Sequence, residues 1–256
     1  MHVAITGASS GIGYEMAQHA SRQGADVTVV ARRRDLLEEM VRGIKTRSFV
    51  VEQDLSDLAR CVDWVGPAET TLGPIDVLVN NAGVQIVAPL QEVAVEQGER
   101  LIAVNLLAPL RIMQAVLPRM MARHSGTIVN IASMAALAPT PGMTHYNASK
   151  GGLAAASEAL RGELRNTGVN VVTVYPGIID STDMAKNALR TYGENQVLAL
   201  VPRGTTTQLA LEVFRAVERR RARVIYPRSG VLARWFPGPT RWFIDRATPQ
   251  LKAASA

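Results

Sequence analysis

Tyr146 and Lys150 stand four residues apart in Tyr146-Asn147-Ala148-Ser149-Lys150, and Ser133 precedes the tyrosine by thirteen residues. On a helix, residues i and i+4 share a face, so this spacing puts a phenol and an ammonium one turn apart. A nearby cation stabilises phenolate, and a tyrosine that ordinarily ionises near pH ~10 can then exchange protons closer to neutrality. That is the tuning a general acid–base catalyst needs. Ser133 closes the apolar run Gly126-Thr-Ile-Val-Asn-Ile-Ala-Ser133, which reads as a buried strand. Its hydroxyl then sits at a strand's carboxyl end, where open parallel sheets bind ligands.

Such residues must be positioned by a framework, and the chain supplies one in order. Val3 to Ile5 is a short apolar strand, followed by Thr6-Gly7-Ala-Ser9-Ser-Gly11-Ile12-Gly13 and a helical pattern at Ile12, Met16 and Ala20. A strand, a glycine-rich turn and a helix amino terminus together form an anion site, because the backbone can approach a pyrophosphate and free N–H groups point at it. Ala25 to Ala31 is the next strand and runs into Arg32-Arg33-Arg34. An acid at that strand's end suits the ribose hydroxyls of NAD, whereas a basic residue accommodates the extra phosphate of NADP. Ala31 stands where the acid would fall. NADP is expected, with Arg32 as its phosphate partner, Ser9 as a helper, and Arg33 and Arg34 only opening a solvated helix.

Further strands are read at Ser48 to Val51, Ile75 to Val79, Val169 to Val174 and Arg223 to Tyr226. Asp54, just past the third strand, caps the next helix, binds an adenine amino group, or does both. A weakly patterned helix is read over about residues 56 to 71, with Trp64 in the core. Asn80-Asn81-Ala82-Gly83 ends the Ile75 strand and leaves room for a cofactor. Asn105 lies in apolar surroundings between a helical segment from Val93 and one through Leu117, where an amide has a hydrogen-bond task or marks a distorted turn. The Tyr146 helix is expected to run to about Asn166. Residues 178 to 204 mix polar side chains with Met184, Leu189, Tyr192, Leu198, Leu200 and Val201, the composition of a lid over a substrate. Strand–helix alternation with apolar, parallel-type strands gives an α/β fold of the Rossmann type: a doubly wound parallel sheet of about seven strands with helices on both faces.

These pieces resemble the short-chain dehydrogenase/reductase family. The likeness runs from residue 1 to about 227 through Thr6-Gly7-x-x-x-Gly11-x-Gly13, Asn80-Asn81-Ala82-Gly83, Asn105, Ser133, Tyr146-x-x-x-Lys150 and Pro176-Gly177, in the family's order. The resemblance implies that Tyr146 is the general acid for ketone reduction or the base for alcohol oxidation. It implies that Ser133 orients the carbonyl oxygen, that Lys150 lowers the tyrosine pKa and holds the nicotinamide ribose, and that Asn105 anchors a water. Gly7, Ser9, Gly11, Ile12 and Gly13 would line the pyrophosphate and adenosine ribose. Asp54 and Leu55 would meet the adenine, Asn81, Ala82 and Gly83 the adjoining ribose, and Pro176, Gly177 and Ile179 the nicotinamide. The family often has Thr five residues after that proline; here Ser181 holds the position with Thr182 next, so either hydroxyl could serve. A homodimer or homotetramer is implied, and a metal is not. His145, beside the tyrosine, either touches substrate or points away.

The 256 residues suit one large domain, expected over residues 1–227, with a tail over 228–256. Hydrophobic residues at 47% and charged residues at 20% are ordinary for a globular protein. No signal peptide and no membrane-spanning run is read, and the single Cys61 excludes an internal disulfide, which fits a cytoplasmic setting. Of the net charge of +6, residues 215–256 carry +8 (ten Lys/Arg, two Asp/Glu), so the remainder carries −2. Basic residues crowded into a tail do not make a nucleic-acid-binding face. Within the tail, Trp235, Phe236, Trp242 and Phe243 stand beside four arginines, and Pro237-Gly-Pro239 divides two short amphipathic pieces. Such pieces suit a membrane interface, or packing on the lid or on a partner subunit. Either favours a bulky apolar substrate. An NADPH-dependent reductase of a lipid-like, long-chain acyl or steroid-like ketone is thus expected. The alternatives are an NAD-linked alcohol or polyol dehydrogenase and a non-catalytic dinucleotide sensor.

Overall fold

The computed structural model describes residues 1–193 and 202–248. Seven parallel strands form one sheet in the order β3-β2-β1-β4-β5-β6-β9. They are β1 (His2–Thr6), β2 (Asp26–Ala31), β3 (Ser48–Glu52), β4 (Val77–Asn80), β5 (Gly126–Ile131), β6 (Val169–Pro176) and β9 (Arg223–Tyr226). A separate parallel pair joins β7 (Ile178–Ile179) to β8 (Arg203–Gly204). The doubly wound, seven-stranded expectation is met.

Alternation along each strand explains why helices cover both faces. Val3, Ile5, Val77, Val79, Val129, Val172 and Val174 turn to one side, against α1 (Gly11–Arg22), α2 (Arg34–Val41) and α8 (Thr206–Glu218). Ala4, Leu78, Ile128 and Val171 turn to the other, against α3 (Val65–Leu72) and α5 (Ala108–Ala122), with Leu160 of α6 (Thr144–Glu163) at its margin. Strands buried on both faces read as continuous apolar runs for this reason. The sheet reverses its winding between β1 and β4, and the carboxyl ends of the strands there open a crevice.

Three local expectations change. Residues 55–64 are turns, and the helix begins only at Val65. The carboxylates of Asp54 and Asp57 capture the N–H groups of Ser56 and Ala59, which gives the backbone a local alternative to helix. Trp64 is buried all the same and donates its indole N–H to Cys61 O at 2.9 Å. Second, α6 stops at Glu163, with residues 164–168 in turns before β6.

Third, α4 (Val95–Ile102) and α5 are continuous through a π turn at Ala103–Leu107. The resulting 28-residue helix, Val95–Ala122, has the length and composition to cross a membrane, contrary to the absence of such a run read from sequence. Asn105 divides it in sequence, but the π turn absorbs the interruption. Leu101, Asn105, Ala108, Ile112 and Val116 are buried within the domain.

Beyond β6, α7 (Asp183–Tyr192) occupies the first part of the expected lid, while Leu198, Leu200 and Val201 lie outside the described residues. The tail folds as α9 (Val231–Trp235) and α10 (Pro237–Ala247); residues 249–256 lie outside the described residues.

Candidate active site

Ser133 lies two residues past β5 and caps a short 3-10 turn, accepting Ala135 N–H on its hydroxyl at 3.1 Å. Tyr146 and Lys150 project from the first turns of α6, and both are buried. The Tyr146 hydroxyl lies near Ser133, which acts on its ionisation, and 3.9 Å from Met184 Sδ on α7. Lys150 Nζ lies 6.0 Å from the centre of the Tyr146 ring and donates to Ile131 O at 2.7 Å.

The two groups shift in opposite senses. Burial pushes the Tyr146 phenol above its ordinary value, and Ser133 pulls weakly the other way. Burial alone brings the Lys150 ammonium down to about 8. In this arrangement the Lys150 ammonium is engaged by the Ile131 carbonyl rather than by the phenol oxygen. At neutral pH the phenol keeps its proton and the lysine its charge, so the site is set to donate a proton.

Asn105 is wholly buried in the π turn, a distortion that loosens the helical hydrogen-bond pattern. Its side chain accepts Val84 N–H at 2.8 Å and donates to Val84 O at 2.8 Å and to Ser149 Oγ at 3.1 Å. Ser149 in turn donates to Tyr146 O at 2.8 Å. Ser149 was not singled out from the sequence. Its placement one turn behind the tyrosine carbonyl was the available signal.

Across the crevice, the glycine-rich turn is fixed to the end of β4. Thr6 Oγ1 accepts the N–H groups of both Asn81 and Ala82 at 3.1 Å, and Asn81 Nδ2 donates to Thr6 O at 2.9 Å and Gly7 O at 3.2 Å. Gly7 has φ +68°, and a Cβ there would stand 2.7 Å from Ala82 Cα. A Cβ on Gly13 would meet Gly7 O at 2.4 Å, so α1 can approach the turn this closely only with glycine. The α1 amino terminus has no acidic residue in its first turn and no side-chain cap from Ser10, which leaves N–H donors beside Gly11 and Ile12. Gly83 lies against Asn105 and Lys150: a Cβ on it would be 3.3 Å from Asn105 Oδ1 and 3.4 Å from Lys150 Nζ.

Arg33 has partners that were not expected of it. Arg33, read from sequence as a solvated helix start, donates to Ser9 Oγ at 3.2 Å and Ser10 Oγ at 3.4 Å. It reaches the turn because it precedes α2 in extended conformation and its side chain swings back across the β2 end. Arg32 instead sits where its charge acts on Asp54. Arg34 pairs with Glu38 one turn on, the solvated helix contact expected of it.

Asp54 accepts from Ser56 N and Oγ on one oxygen and from Arg100 on the other at 2.7 Å. These contacts hold its carboxyl below the usual value against the opposing effect of burial. Leu55 is turned into the core beneath, and Ile179 is likewise buried, while Pro176 ends β6 and Gly177 N–H donates to Tyr226 O at 2.7 Å. Of the two candidate hydroxyl residues, Thr182 packs toward Gly11, whereas Ser181 Oγ donates to Thr206 Oγ1 at 3.3 Å and faces α8. His145 packs on Gly98 in a surface groove beside Glu96, Glu99 and Arg100. Among the described residues no cluster of His, Cys, Asp or Glu could hold a metal ion.

The walls around the phenol are apolar. Leu101, Ala135 and Met143 are buried against Tyr146, with Val84, Ile86, Val87, Ile102, Met184 and Tyr192 packed on them. A protonated phenol, a hydroxyl beside it and a cation behind it, in an apolar wall facing an anion-binding turn, can protonate an oxygen while charge shifts at the adjoining carbon.

Comparison with known proteins agrees. The sequence model described as "short chain dehydrogenase" matches residues 1–193. An uncharacterised oxidoreductase of Staphylococcus epidermidis is 35% identical over 177 residues, covering 69% of this chain and 77% of that protein. The ketoacyl reductase HetN of a Nostoc species is 35% identical over 185 residues, covering 71% of this chain and 64% of that protein. The crystal structure of a short-chain dehydrogenase from Streptomyces avermitilis superimposes with a TM-score of 0.81 at 29% identity, covering 91% of each chain. A metagenomic short-chain oxidoreductase in complex with NADP superimposes with a TM-score of 0.68 at 34% identity, covering 73% of this chain and 88% of that one. This chain belongs to the short-chain dehydrogenase family, oxidoreductases that interconvert CH–OH and C=O groups.

Proposed function

We propose that the protein is an NADPH-dependent reductase of apolar, lipid-like ketones such as long-chain acyl or steroid-like carbonyls. The observation that carries this reading is the protonated Tyr146 hydroxyl set among Leu101, Ala135, Met143, Met184 and Tyr192. A polar sugar would leave its hydroxyls unpaired against such a wall, at a cost of roughly 1–3 kcal/mol for each buried orphan group. The HetN relative, by its name, reduces a ketoacyl group, which supports the same substrate class.

The dinucleotide fits the opposite side of the crevice. The uncapped α1 terminus with Gly7, Ser9, Gly11, Ile12 and Gly13 suits a pyrophosphate. Arg33 and Arg32 at the end of β2 suit the additional phosphate of NADP, and Ala31 offers no carboxylate for an NAD ribose. Asp54 and Leu55 would edge the adenine, Asn81, Ala82 and Gly83 the ribose, and Pro176, Gly177 and Ile179 the nicotinamide. Bound there, NADPH supplies the hydride. Ser133 donates a hydrogen bond to the ketone oxygen and holds it beside Tyr146. Tyr146 delivers the proton to that oxygen as the carbonyl carbon accepts the hydride, so C=O becomes CH–OH. Lys150 steadies the phenolate left behind, and Asn105 holds the π turn against α6 so that the tyrosine returns to register.

The test is oxidation of NADPH and NADH by the purified protein against ketones graded from small sugars to long-chain β-ketoacyl compounds and steroids. Turnover with NADPH that rises with chain length, and is abolished by Tyr146→Phe with NADPH binding retained, supports the reading. Preference for NADH or for small polar ketones overturns it.

A further inference from the structure

α9 and α10 are turned inside out relative to an ordinary surface helix pair. Ala233 is buried, and Thr240 and Ile244 are half-buried on the inner side. Arg234 is half-buried, and its charge acts on Tyr175 and Glu158. The outer side carries Leu232, Trp235, Phe236, Trp242 and Phe243, each more than half exposed. Trp235 reaches 71% and Trp242 59%. Single exposed apolar residues need no explanation, but five large ones on two consecutive short helices form a patch that marks an interaction surface.

Its electrostatics indicate the partner. Residues 228–248 hold four arginines and one acid, Asp245; with Arg234 set against Glu158, the other three and Asp245 leave a local net charge of +2. Arg246 lies over the Trp242 ring at 4.3 Å, so one cation is already part of the aromatic face. Arg228 is largely exposed, with Glu212 only at 3.7 Å. Arg241 pairs with Asp245 at 2.7 Å and also donates to Pro139 O at 2.7 Å. A second protein with an apolar face would match the aromatics but leave this positive rim unanswered. A bilayer with anionic headgroups answers both: Trp and Phe rings settle at the headgroup–acyl boundary while arginines reach lipid phosphates.

We propose that α9 and α10 form a peripheral docking surface for an anionic lipid membrane. The contact places a functional segment at the lipid. Arg241 is tied to Pro139, and Gly230 packs on Met134, where a Cβ would stand 2.8 Å from Sδ. Both contacts fall on the 134–143 loop that leads from Ser133 to Tyr146, so the docked membrane abuts the wall of the crevice. The surface argument does not depend on the reductase reading, and its readout is binding rather than turnover.

The full chain is mixed with phosphatidylcholine vesicles, with and without phosphatidylserine, and binding is followed by co-sedimentation and tryptophan emission. The protein has three tryptophans, and Trp64 is buried, so an emission shift reports Trp235 and Trp242. Blue-shifted emission and sedimentation with the anionic vesicles, reversed by high salt, is the expected result. Trp242→Ala with Phe243→Ala should weaken binding about tenfold or more, and Arg246→Glu should weaken it on anionic vesicles. Circular dichroism checks that each variant folds. Failure to bind anionic vesicles, or binding indifferent to lipid charge, overturns the proposal. So does an oligomer that the Trp242→Ala variant dissociates while vesicle binding is absent, which would make the face an interface between copies.

Discussion

Asn105 Nδ2 donates to Ser149 Oγ at 3.1 Å, and Ser149 passes the connection to the backbone carbonyl of Tyr146 at 2.8 Å. The π turn and α6 are thereby joined through one buried hydroxyl. Ser149→Ala would leave Asn105 with an unpaired amide hydrogen in a dry site, a loss of roughly 1–3 kcal/mol. The expected outcome is a lower Tm and a kcat reduced several-fold with KM for NADPH nearly unchanged, because only the tyrosine's register is disturbed. Ser149→Thr, which keeps the hydroxyl, should restore most of kcat. Equal losses in both variants would show that Ser149 only fills space.

Lys150 makes a prediction about pH. Its folded pKa is about 8, below the unfolded value near ~10.4. Between those values the unfolded chain binds more protons, so stability rises with pH across the window and is lost as pH falls through about 8. The cost of holding the buried charge at neutral pH is roughly 3 kcal/mol by that shift. Lys150→Met should therefore be more stable than the parent toward urea at pH 7, with the advantage shrinking toward pH 10, even as activity is lost. An advantage that stays constant across the range would mean that the ammonium is not desolvated as described.

The arginines at the end of β2 offer a test of the proposed cofactor choice. Arg33 reaches Ser9 and Ser10 on the glycine-rich turn, while the Arg32 charge acts weakly on Asp54. A charge-assisted contact to phosphate is worth about 1.5–3 kcal/mol, or about tenfold to a hundredfold in affinity. Arg33→Ala should raise the NADPH KM by such a factor and leave that for NADH nearly untouched, and Arg32→Ala should have a smaller effect. If Arg32→Ala is the more damaging, the expectation drawn from sequence was the better one.

Tyr146, Lys150, Ser133 and the glycine-rich turn could be found from sequence because each depends on local spacing: i to i+4 on a helix, or a hydroxyl just past a strand. The seven-stranded sheet was legible for a related reason, since strands buried on both faces are written as runs of Val, Ile and Leu. What could not be read depended on side-chain direction over long separations. Arg32 and Arg33 are equivalent as sequence, and only the turn out of β2 decides which one meets Ser9. Likewise the lysine's preference for Ile131 O over the phenol follows from the β5 end, nineteen residues away. The late start of α3, at Val65 rather than near residue 56, was not legible because Asp54, which looks like a helix cap, and Asp57 hold turns instead.

The α7 contacts predict how the site chooses its substrate. Met184 Sδ stands 3.9 Å from the Tyr146 hydroxyl, and Tyr192 donates its hydroxyl to Pro141 O at 2.6 Å, closing α7 onto the loop across the crevice. Burial pushes the Tyr192 phenol up to about 12, so this latch keeps its proton throughout the working range. Met184→Ala removes side-chain bulk directly over the proton donor, where thioether flexibility lets Met adapt to different chains. Its expected effect is a gain in kcat/KM for the widest ketones relative to the smallest. Tyr192→Phe deletes one hydrogen bond, worth about 1 kcal/mol net, and should raise substrate KM about fivefold while sparing kcat. Kinetics of both variants across a chain-length series separate the two effects. A Tyr192→Phe enzyme with reduced kcat and unchanged KM would instead place α7 closure in the chemical step.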